Sequence, residues 1–360
     1  MPYSKFIKKY EIPETFRNNK IKSIFDYDKQ KVVKEYDVNI PIEDKTYNIG
    51  LIIGSSGSGK TTIAKEVFKD YYYFNGFDWN NDKTIVDNFS EKFTPKQIVE
   101  ILSKVGFNSP ADWLKPYNIL SNGQKFRVDL ARVILENNEP VLFDEFTSVI
   151  DRQVAKIGCL AIQKFIRKEN KKFIAISCHY DIIDWLQPNW IYDVDRNKFE
   201  WRELRQPPEI RLDIRRAKTK EWYLYKKYHY LSGDINKVSR CYVAEINNKP
   251  VAFCAILHFP HNIIKNFKKI HRIVVLPDYQ GIGIGKIFLN TICEMYKEQK
   301  FRILLITSSP SFVFGLQKDK RWIMKRKPSC MAGQNNGIKA LNRTTSFDRL
   351  TVSFEYIGNN

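Results

Sequence analysis

The apolar run Ile49-Gly50-Leu51-Ile52-Ile53 passes directly into Gly54-Ser55-Ser56-Gly57-Ser58-Gly59-Lys60-Thr61-Thr62, and no other stretch constrains the fold as tightly. A strand that ends in a glycine-rich turn and then enters a helix presents successive backbone N–H groups and the positive end of the helix dipole to an anion. The spacing G-x-x-x-x-G-K-T matches a phosphate-cradling loop, in which the lysine reaches the terminal phosphates and the threonine hydroxyl meets Mg²⁺. Lys60 and Thr61 take those roles. The feature implies an α/β fold and a nucleoside triphosphate. By itself it names no reaction.

Further motifs follow in a fixed order. Leu120-Ser121-Asn122-Gly123-Gln124 opens a helical pattern from Lys125 to Ile134, with Leu130, Ala131 and Ile134 on one face. Val141-Leu142-Phe143-Asp144-Glu145 is an apolar strand ending in two carboxylates, Ser148-Val149-Ile150-Asp151 comes next, and Ile174-Ala175-Ile176-Ser177-Cys178-His179 is a strand ending in histidine. As a set, over about residues 20–205, these resemble the ABC-type ATPases. The resemblance implies that residues 54–62, the signature-like Ser121, Asn122, Gly123 and Gln124, and the D-loop-like Asp151 bind ATP. It implies that Thr61 and Asp144 hold Mg²⁺, that Glu145 polarises the attacking water, and that His179 is the switch histidine. It also implies an ATP-dependent head-to-tail homodimer, in which Ser121 and Gly123 complete the partner's ATP site. Two departures stand out. Asn122 replaces the first glycine of the usual signature, and asparagine tolerates the left-handed backbone. No glutamine occurs between Lys60 and Gln97, so the family's Q-loop residue is missing, and Asp78, Asn80 and Asn81 are the available substitutes. The helical subdomain is expected to contain little beyond Thr94 to Val105 and the signature helix.

Composition excludes a membrane-spanning role. Apolar runs such as Ile303-Leu304-Leu305-Ile306 are strand-sized, far below the roughly 20 residues that cross a bilayer. No charged-apolar-cleavage pattern opens the sequence. Cys159, Cys178, Cys241, Cys254, Cys293 and Cys330 are scattered without a C-x-x-C pair, which fits a reducing cytoplasm and argues against a zinc or disulfide frame. With 360 residues and 43% hydrophobic content the chain can bury two cores.

Charge divides the chain unevenly. The Pro207-Pro208 pair within Arg202-Glu203-Leu204-Arg205-Gln206-Pro207-Pro208 breaks regular structure, and places the expected boundary between a domain at 1–205 and one at 206–360. Residues 206–360 hold 27 Lys and Arg against 11 Asp and Glu, whereas residues 1–205 hold 32 against 29. Local basicity points to a polyanionic partner through phosphate neutralisation. Arg211 to Lys220 followed by Trp222 and Tyr223, and the run Lys320-Arg321-Trp322-Ile323-Met324-Lys325-Arg326-Lys327, combine cations with aromatics that can stack on bases. Nucleic acid, DNA or RNA, is the expected partner.

In the basic part, Arg272-Ile273-Val274-Val275-Leu276-Pro277-Asp278-Tyr279-Gln280-Gly281-Ile282-Gly283-Ile284-Gly285-Lys286 repeats the strand, glycine-rich loop and helix sequence, with Ile287, Phe288 and Ile292 on the apolar helix face. It reads as a second pyrophosphate cradle. The Q-x-x-G-x-G spacing resembles the coenzyme A loop of the GNAT N-acetyltransferases, whereas G-x-G-x-x-G is only partly met and no acidic residue closes a following strand as a Rossmann fold requires. The resemblance, over about residues 215–358, implies acyl-CoA, most simply acetyl-CoA, held by Val274, Val275, Gln280, Gly281, Ile282, Gly283, Ile284, Gly285 and Lys286. The flanks agree: a helical pattern from Glu221 to Leu231, a hairpin of Cys241–Ile246 and Val251–His258 turning at Asn247-Asn248, a strand Arg302–Thr307, a short helix capped by Ser308-Ser309-Pro310-Ser311, and a closing strand Leu350–Tyr356. Phe312 and Phe314 stand where the family's thiolate-protonating tyrosine is expected. Proton handling then falls to His229 and Tyr230 first, with His258, Ser308 and Ser309 behind them. Trp222, His229-Tyr230-Leu231 and Ser353-Phe354-Glu355-Tyr356 make this part similar to phage Mom-type DNA-modifying proteins, which implies a base amine as acceptor. The rival expectations are an inactive GNAT fold acting as a nucleic-acid clamp, and acetylation of a protein or small amine.

Overall fold

The computed structural model describes residues 3–27, 31–203, 209–229, 233–260, 266–329 and 350–358. The elements run β1 (Tyr3–Glu11), α1 (Phe16–Ile24), β2 (Lys31–Asn39), β3 (Ile49–Ile53), α2 (Lys60–Val67), β4 (Tyr72–Phe74), α3 (Pro95–Lys104), α4 (Pro110–Trp113), α5 (Asn122–Glu136), β5 (Val141–Phe143), α6 (Arg152–Lys168), β6 (Phe173–Ser177), α7 (Ile182–Leu186), β7 (Trp190–Asp193) and β8 (Lys198–Trp201). They continue β9 (Asp213–Ala217), β10 (Arg240–Ile246), β11 (Lys249–His258), β12 (Phe267–Val275), α8 (Ile284–Glu298), β13 (Arg302–Thr307), α9 (Pro310–Gln317), β14 (Trp322–Ser329) and β15 (Thr351–Tyr356). Two compact units emerge: Met1–Asn75 with Asn137–Ser148 and Ile166–Gln206, and Gly76–Glu136 with Val149–Phe165 and Pro207–Asn360. The segments carrying the signature-like and D-loop-like motifs thus cluster with the residues from 207 onward. The proline pair expected to mark the boundary lies outside the described residues.

The first unit is built on a six-stranded sheet in the order β4-β5-β6-β3-β7-β8, parallel except for the β7–β8 pair. Every residue of β3 is buried, as expected of a strand covered on both faces. Gly50 pairs with Trp190 in register, and its missing side chain makes room for the indole: a Cβ there would lie 2.1 Å from Trp190 Cζ2. Trp190 in turn stacks on Phe68 of the α2 C-cap, with ring centroids 6.0 Å apart. The core of this unit therefore closes around the strand that feeds the glycine-rich loop.

The second unit carries a seven-stranded sheet, β14-β15-β13-β12-β11-β10-β9, in which β12–β13 is the parallel pair. The β10–β11 hairpin turns at Asn247 (φ 50°) and Asn248 (φ 61°), the left-handed pair that a two-residue type I′ turn demands. Helix α8 covers the sheet with Ile284, Phe288, Leu289, Ile292, Cys293 and Tyr296. Ile287, expected on that apolar face, is 56% exposed, because the buried stripe follows the 284, 288, 292 spacing and 287 falls beside it. The expected helix from Glu221 is instead two 3-10 turns, Thr219–Leu224 and Lys226–Tyr228. In the helical segment, Thr94 caps α3 in a reciprocal capping box with Gln97, and Pro95 fills the first turn.

Gly50→Ala should destabilise the first unit by about 1–3 kcal/mol, the usual cost of forcing extra volume into a packed core. A fall in the denaturant midpoint checks it, and an unchanged midpoint would show that the indole is free to move aside.

Candidate active sites

The loop after β3 is shaped by two glycines with left-handed backbone, Gly57 (φ 77°) and Gly59 (φ 106°). A Cβ on Gly59 would lie 2.6 Å from Tyr36 Oη, whereas one on Gly57 would meet nothing within 4 Å. Lys60 Nζ folds back to donate to the carbonyl oxygens of Gly54 (3.0 Å) and Ser55 (2.6 Å). Thr61 Oγ1 donates to Asp144 Oδ2 at 2.8 Å, and Tyr73 Oη donates to the same oxygen at 2.5 Å. Burial, followed by that carboxylate, holds the Tyr73 phenol well above its ordinary pKa, so it stays a donor. Buried Asp144 also accepts from the Glu145 backbone N–H at 2.9 Å.

Glu145 is exposed and sits at φ 49°, with Thr147 at φ 67°. Left-handed backbone at a non-glycine residue costs about 1–3 kcal/mol, a strain that concentrates where the two carboxylates part. Ser177 Oγ donates to Phe146 O at 3.0 Å and accepts from the His179 backbone N–H at 3.2 Å, so the ends of β5 and β6 are tied together. The oxygen donors Thr61 and Asp144 suit a hard cation. The open face at Gly57 and the buried, unpartnered Ser58 Oγ fit a triphosphate.

In the second unit Ser121 and Gln124 cap α5 reciprocally: the Ser121 N–H donates to Gln124 Oε1 at 3.0 Å, and the Gln124 N–H donates to Ser121 Oγ at 3.4 Å. Asn122 Nδ2 donates to Val149 O at 3.3 Å, which links the signature-like turn to the D-loop-like segment. Asp151 accepts from the Gln153 N–H at 2.8 Å. Asn80 and Asn81 are spent on backbone partners, accepting from Asp82 N and Asn118 N. Asp78 is exposed. The structure offers no positive sign that any of the three replaces the missing glutamine.

The second glycine-rich loop follows β12. The β12–β13 pairing ends at Ile270 and Leu305, although β12 runs on to Val275. His271 is the extra residue of a β-bulge, lying between the pairs Ile270–Ile256 and Arg272–Ala255, and such bulges re-aim side chains. Its Nε2 accepts from the Asn236 N–H at 3.3 Å, and Arg272 Nη1 lies 3.4 Å from its Nδ1. Burial first, then the charges of Arg272, Lys269 and His229, push its pKa down to about 4. Gly283 caps α8 with φ 95° and no side-chain cap, and a Cβ there would meet nothing within 4 Å. Gly285 brings α8 close to the sheet, since its Cβ would lie 3.1 Å from Val275 Cγ2. The open helix terminus at Gly283 and the buried, unpartnered Ser308 Oγ fit a pyrophosphate-bearing thioester.

Residues 197–311 match the Acetyltransferase (GNAT) family. Methionine import ATP-binding proteins are similar to the ATPase-like part: that of Clostridium tetani is 29% identical over 181 residues, and that of Clostridioides difficile 28% over 196. The chain joins an ABC-type ATPase domain to a GNAT-family acetyltransferase domain. The two methionine importers are covered over 56% and 59% of their own lengths, and they cover 39% and 44% of this chain. Among solved structures, a dimeric post-hydrolysis ATP-binding cassette bound to ADP and phosphate matches at 16% identity and TM-score 0.41, covering 54% of this chain and 95% of that one. A Bacillus subtilis acetyltransferase in complex with CoA matches at 17% identity and TM-score 0.30, covering 41% and 98%.

The expected stacking and cation surfaces of the GNAT domain need correction. Trp222 and Trp322, expected to stack on bases, are 1% and 6% exposed. Trp222 packs on Phe253 and edge-on to His229, and Trp322 donates from Nε1 to Asn290. Tyr223, 71% exposed, keeps that possibility. Arg321 is spent on Asp319 and Lys325 on Glu355. His258 is exposed at the end of β11, while Ser309 Oγ pairs with Ser311 Oγ. Tyr230 lies outside the described residues. Lys286 pairs with Asp319 at 3.4 Å. In the ATPase domain, sequence reasoning missed Tyr73, and it also missed Asp195, which accepts from the Ser55 N–H (2.6 Å) and hydroxyl (2.9 Å) at the mouth of the loop. His271 was missed as well.

His271 binds fewer protons folded than unfolded between its folded value of about 4 and the ordinary value of about 6.5. Its contribution to stability is therefore full above the ordinary value and is lost as pH falls towards the folded one. His271→Gln should flatten the acid limb of a melting-temperature profile. An unaltered limb would place the imidazole in solvent.

Proposed function

We propose that the chain hydrolyses ATP and transfers an acyl group from acyl-CoA, most simply acetyl-CoA, to an amine on a nucleic-acid base. The observation that carries the transferase part is the strand, open Gly283 terminus and helix within a region matching the GNAT family. Support for nucleic acid is the concentration of charge, 27 cations against 11 anions, in residues 206–360. Among the described residues Cys159, Cys178, Cys241, Cys254 and Cys293 form no disulfide, which accords with a reducing cytoplasm, and no helix is long and apolar enough to cross a membrane.

In this reading Lys60 leaves the loop carbonyls for the phosphates, and Glu145 orients the attacking water. Mg²⁺ held by Thr61 and Asp144 would neutralise phosphate charge. Ser121, Asn122 and Gly123 meet the ATP of a second copy. At the other site the acceptor nitrogen attacks the thioester carbonyl carbon. A C–N bond forms and the C–S bond breaks, while the proton lost by the amine passes to His229 and from it to the departing sulfur, giving free CoA. Both nitrogens of His271 are already engaged and cations surround it, so it stays neutral rather than taking the proton. Domain limits at 1–205 and 206–360 belong to the same proposal.

Glu145→Gln should trap an ATP-bound dimer on size exclusion, and Lys60→Ala should abolish ATP binding. A Glu145→Gln protein that stays monomeric and hydrolyses normally would remove the cassette mechanism.

Gly283→Glu places bulk and negative charge on the open helix terminus. It should lower CoA affinity at least ~100-fold in calorimetry while leaving ATP hydrolysis nearly intact, and should erase any acylated nucleoside found by mass analysis of cellular nucleic acid. Binding of CoA without a modified nucleoside would favour a protein or small-amine acceptor, whereas absence of CoA binding would leave a nucleic-acid clamp.

A further inference from the structure

The loop that would take acyl-CoA is propped from outside its own sheet. Arg127, in the middle of α5 and 3% exposed, donates from Nη1 to the carbonyl oxygens of Gly106 (2.7 Å) and Pro277 (2.6 Å), and from Nη2 to that of Asp278 (3.1 Å). One turn earlier on the same helix face, Gly123 is close enough that a Cβ would lie 3.7 Å from Asp278 Oδ1. Gln280 is gripped from both sides. Its Oε1 accepts from the Asn108 N–H at 3.0 Å, and its Nε2 donates to Val275 O at 2.8 Å.

The two backbones also touch. A Cβ on Gly106 would lie 2.7 Å from Gln280 O, and one on Gly281 would lie 3.0 Å from Gly106 Cα. Both glycines have left-handed backbone, at φ 85° and 92°. A buried guanidinium is costly unless its donors are met; here Nε has no partner, and of the three carbonyls that meet the two terminal nitrogens, those of Pro277 and Asp278 belong to the turn that opens the loop. Helix α5 therefore cannot shift without either carrying residues 277–280 along or stranding the charge. Gly123 lies in the signature-like turn of that helix, and Arg127 lies one turn further on.

We infer that Arg127 is a positioning residue for the acyl-CoA loop, and that through it nucleotide engagement at the signature end of α5 sets the affinity of residues 280–285 for CoA. This rests on the two-ligand reading above and adds a thermodynamic link between the ligands. Because linkage is reciprocal, CoA changes ATP affinity by the same factor.

The test is calorimetry on the full chain with free CoA, with and without a non-hydrolysable ATP analogue and Mg²⁺. The CoA Kd should change by about 5- to 100-fold when the analogue is present, and the analogue's Kd should change equally when CoA is present. Arg127→Met, similar in reach but without donors, should bring that factor to one while each ligand still binds alone. Gly106→Ala, which pushes on Gln280 from the opposite element, should do the same and decides the matter if Arg127→Met does not fold by circular dichroism. Wild type that binds CoA and the analogue independently overturns the link but leaves the transferase reading standing. So does a folded Arg127→Met or Gly106→Ala protein that retains the wild-type factor. A full chain that binds no CoA removes the underlying reading, and the link with it.

Discussion

Helices α2 and α8 begin under one constraint. Each is entered through a glycine in left-handed conformation, Gly59 at φ 106° and Gly283 at φ 95°, and neither has a side-chain cap. A helix start leaves its first N–H groups without partners, and most sequences meet that need with Ser, Thr, Asp or Asn. Here α3 does so through Thr94, whereas the two helices that follow glycine-rich loops do not. Left-handed backbone costs a non-glycine residue about 1–2 kcal/mol, so the glycines allow the sharp entry and the absent caps leave donors for an anion. The surrounding architecture serves to hold those two entries still: the fully buried β3 with Trp190 beside Gly50, and β12 with Val275 against Gly285.

Much of this was legible because the signals are local. The Thr94–Gln97 box, the Asn247-Asn248 turn, the strand at 302–307 and the carboxylates closing β5 each follow from a few neighbouring residues. Features that depend on cross-strand register or on distant partners were not. His271 acquires its setting only because β12 carries one residue more than β11 at that point. Tyr73 reaches Asp144 because β4 pairs with β5. Trp222 and Trp322 beside cations look like stacking surfaces in sequence, yet burial of their rings contributes more than exposure would.

The basic domain also looks different once pairs are visible. Arg215 bridges Glu221 and Glu245, Arg302 and Lys325 share Glu355, and Arg321 holds Asp319. The Asp319 carboxyl is held well below the usual range, mainly by Arg321. These cations organise the sheet edge before they can meet a polyanion. Were nucleic acid the partner, as proposed, the exposed Lys318, Lys320 and Lys327 would be better placed to release counterions.

The glycine contact between residues 106 and 281 bears on how such a chain can be taken apart. Modular proteins usually meet through side chains, which tolerate replacement of one module by a foreign one of similar surface. Here main chain meets main chain, and a single methyl on either side would collide. A transferase segment cut out at residue 206 would keep its whole sheet but lose the Asn108 donor and the Arg127 contacts from its loop. Residues 76–136 and those from 207 onward are therefore poor candidates for separate exchange, and a homologous transferase grafted from residue 207 would need its own glycine opposite Gly106.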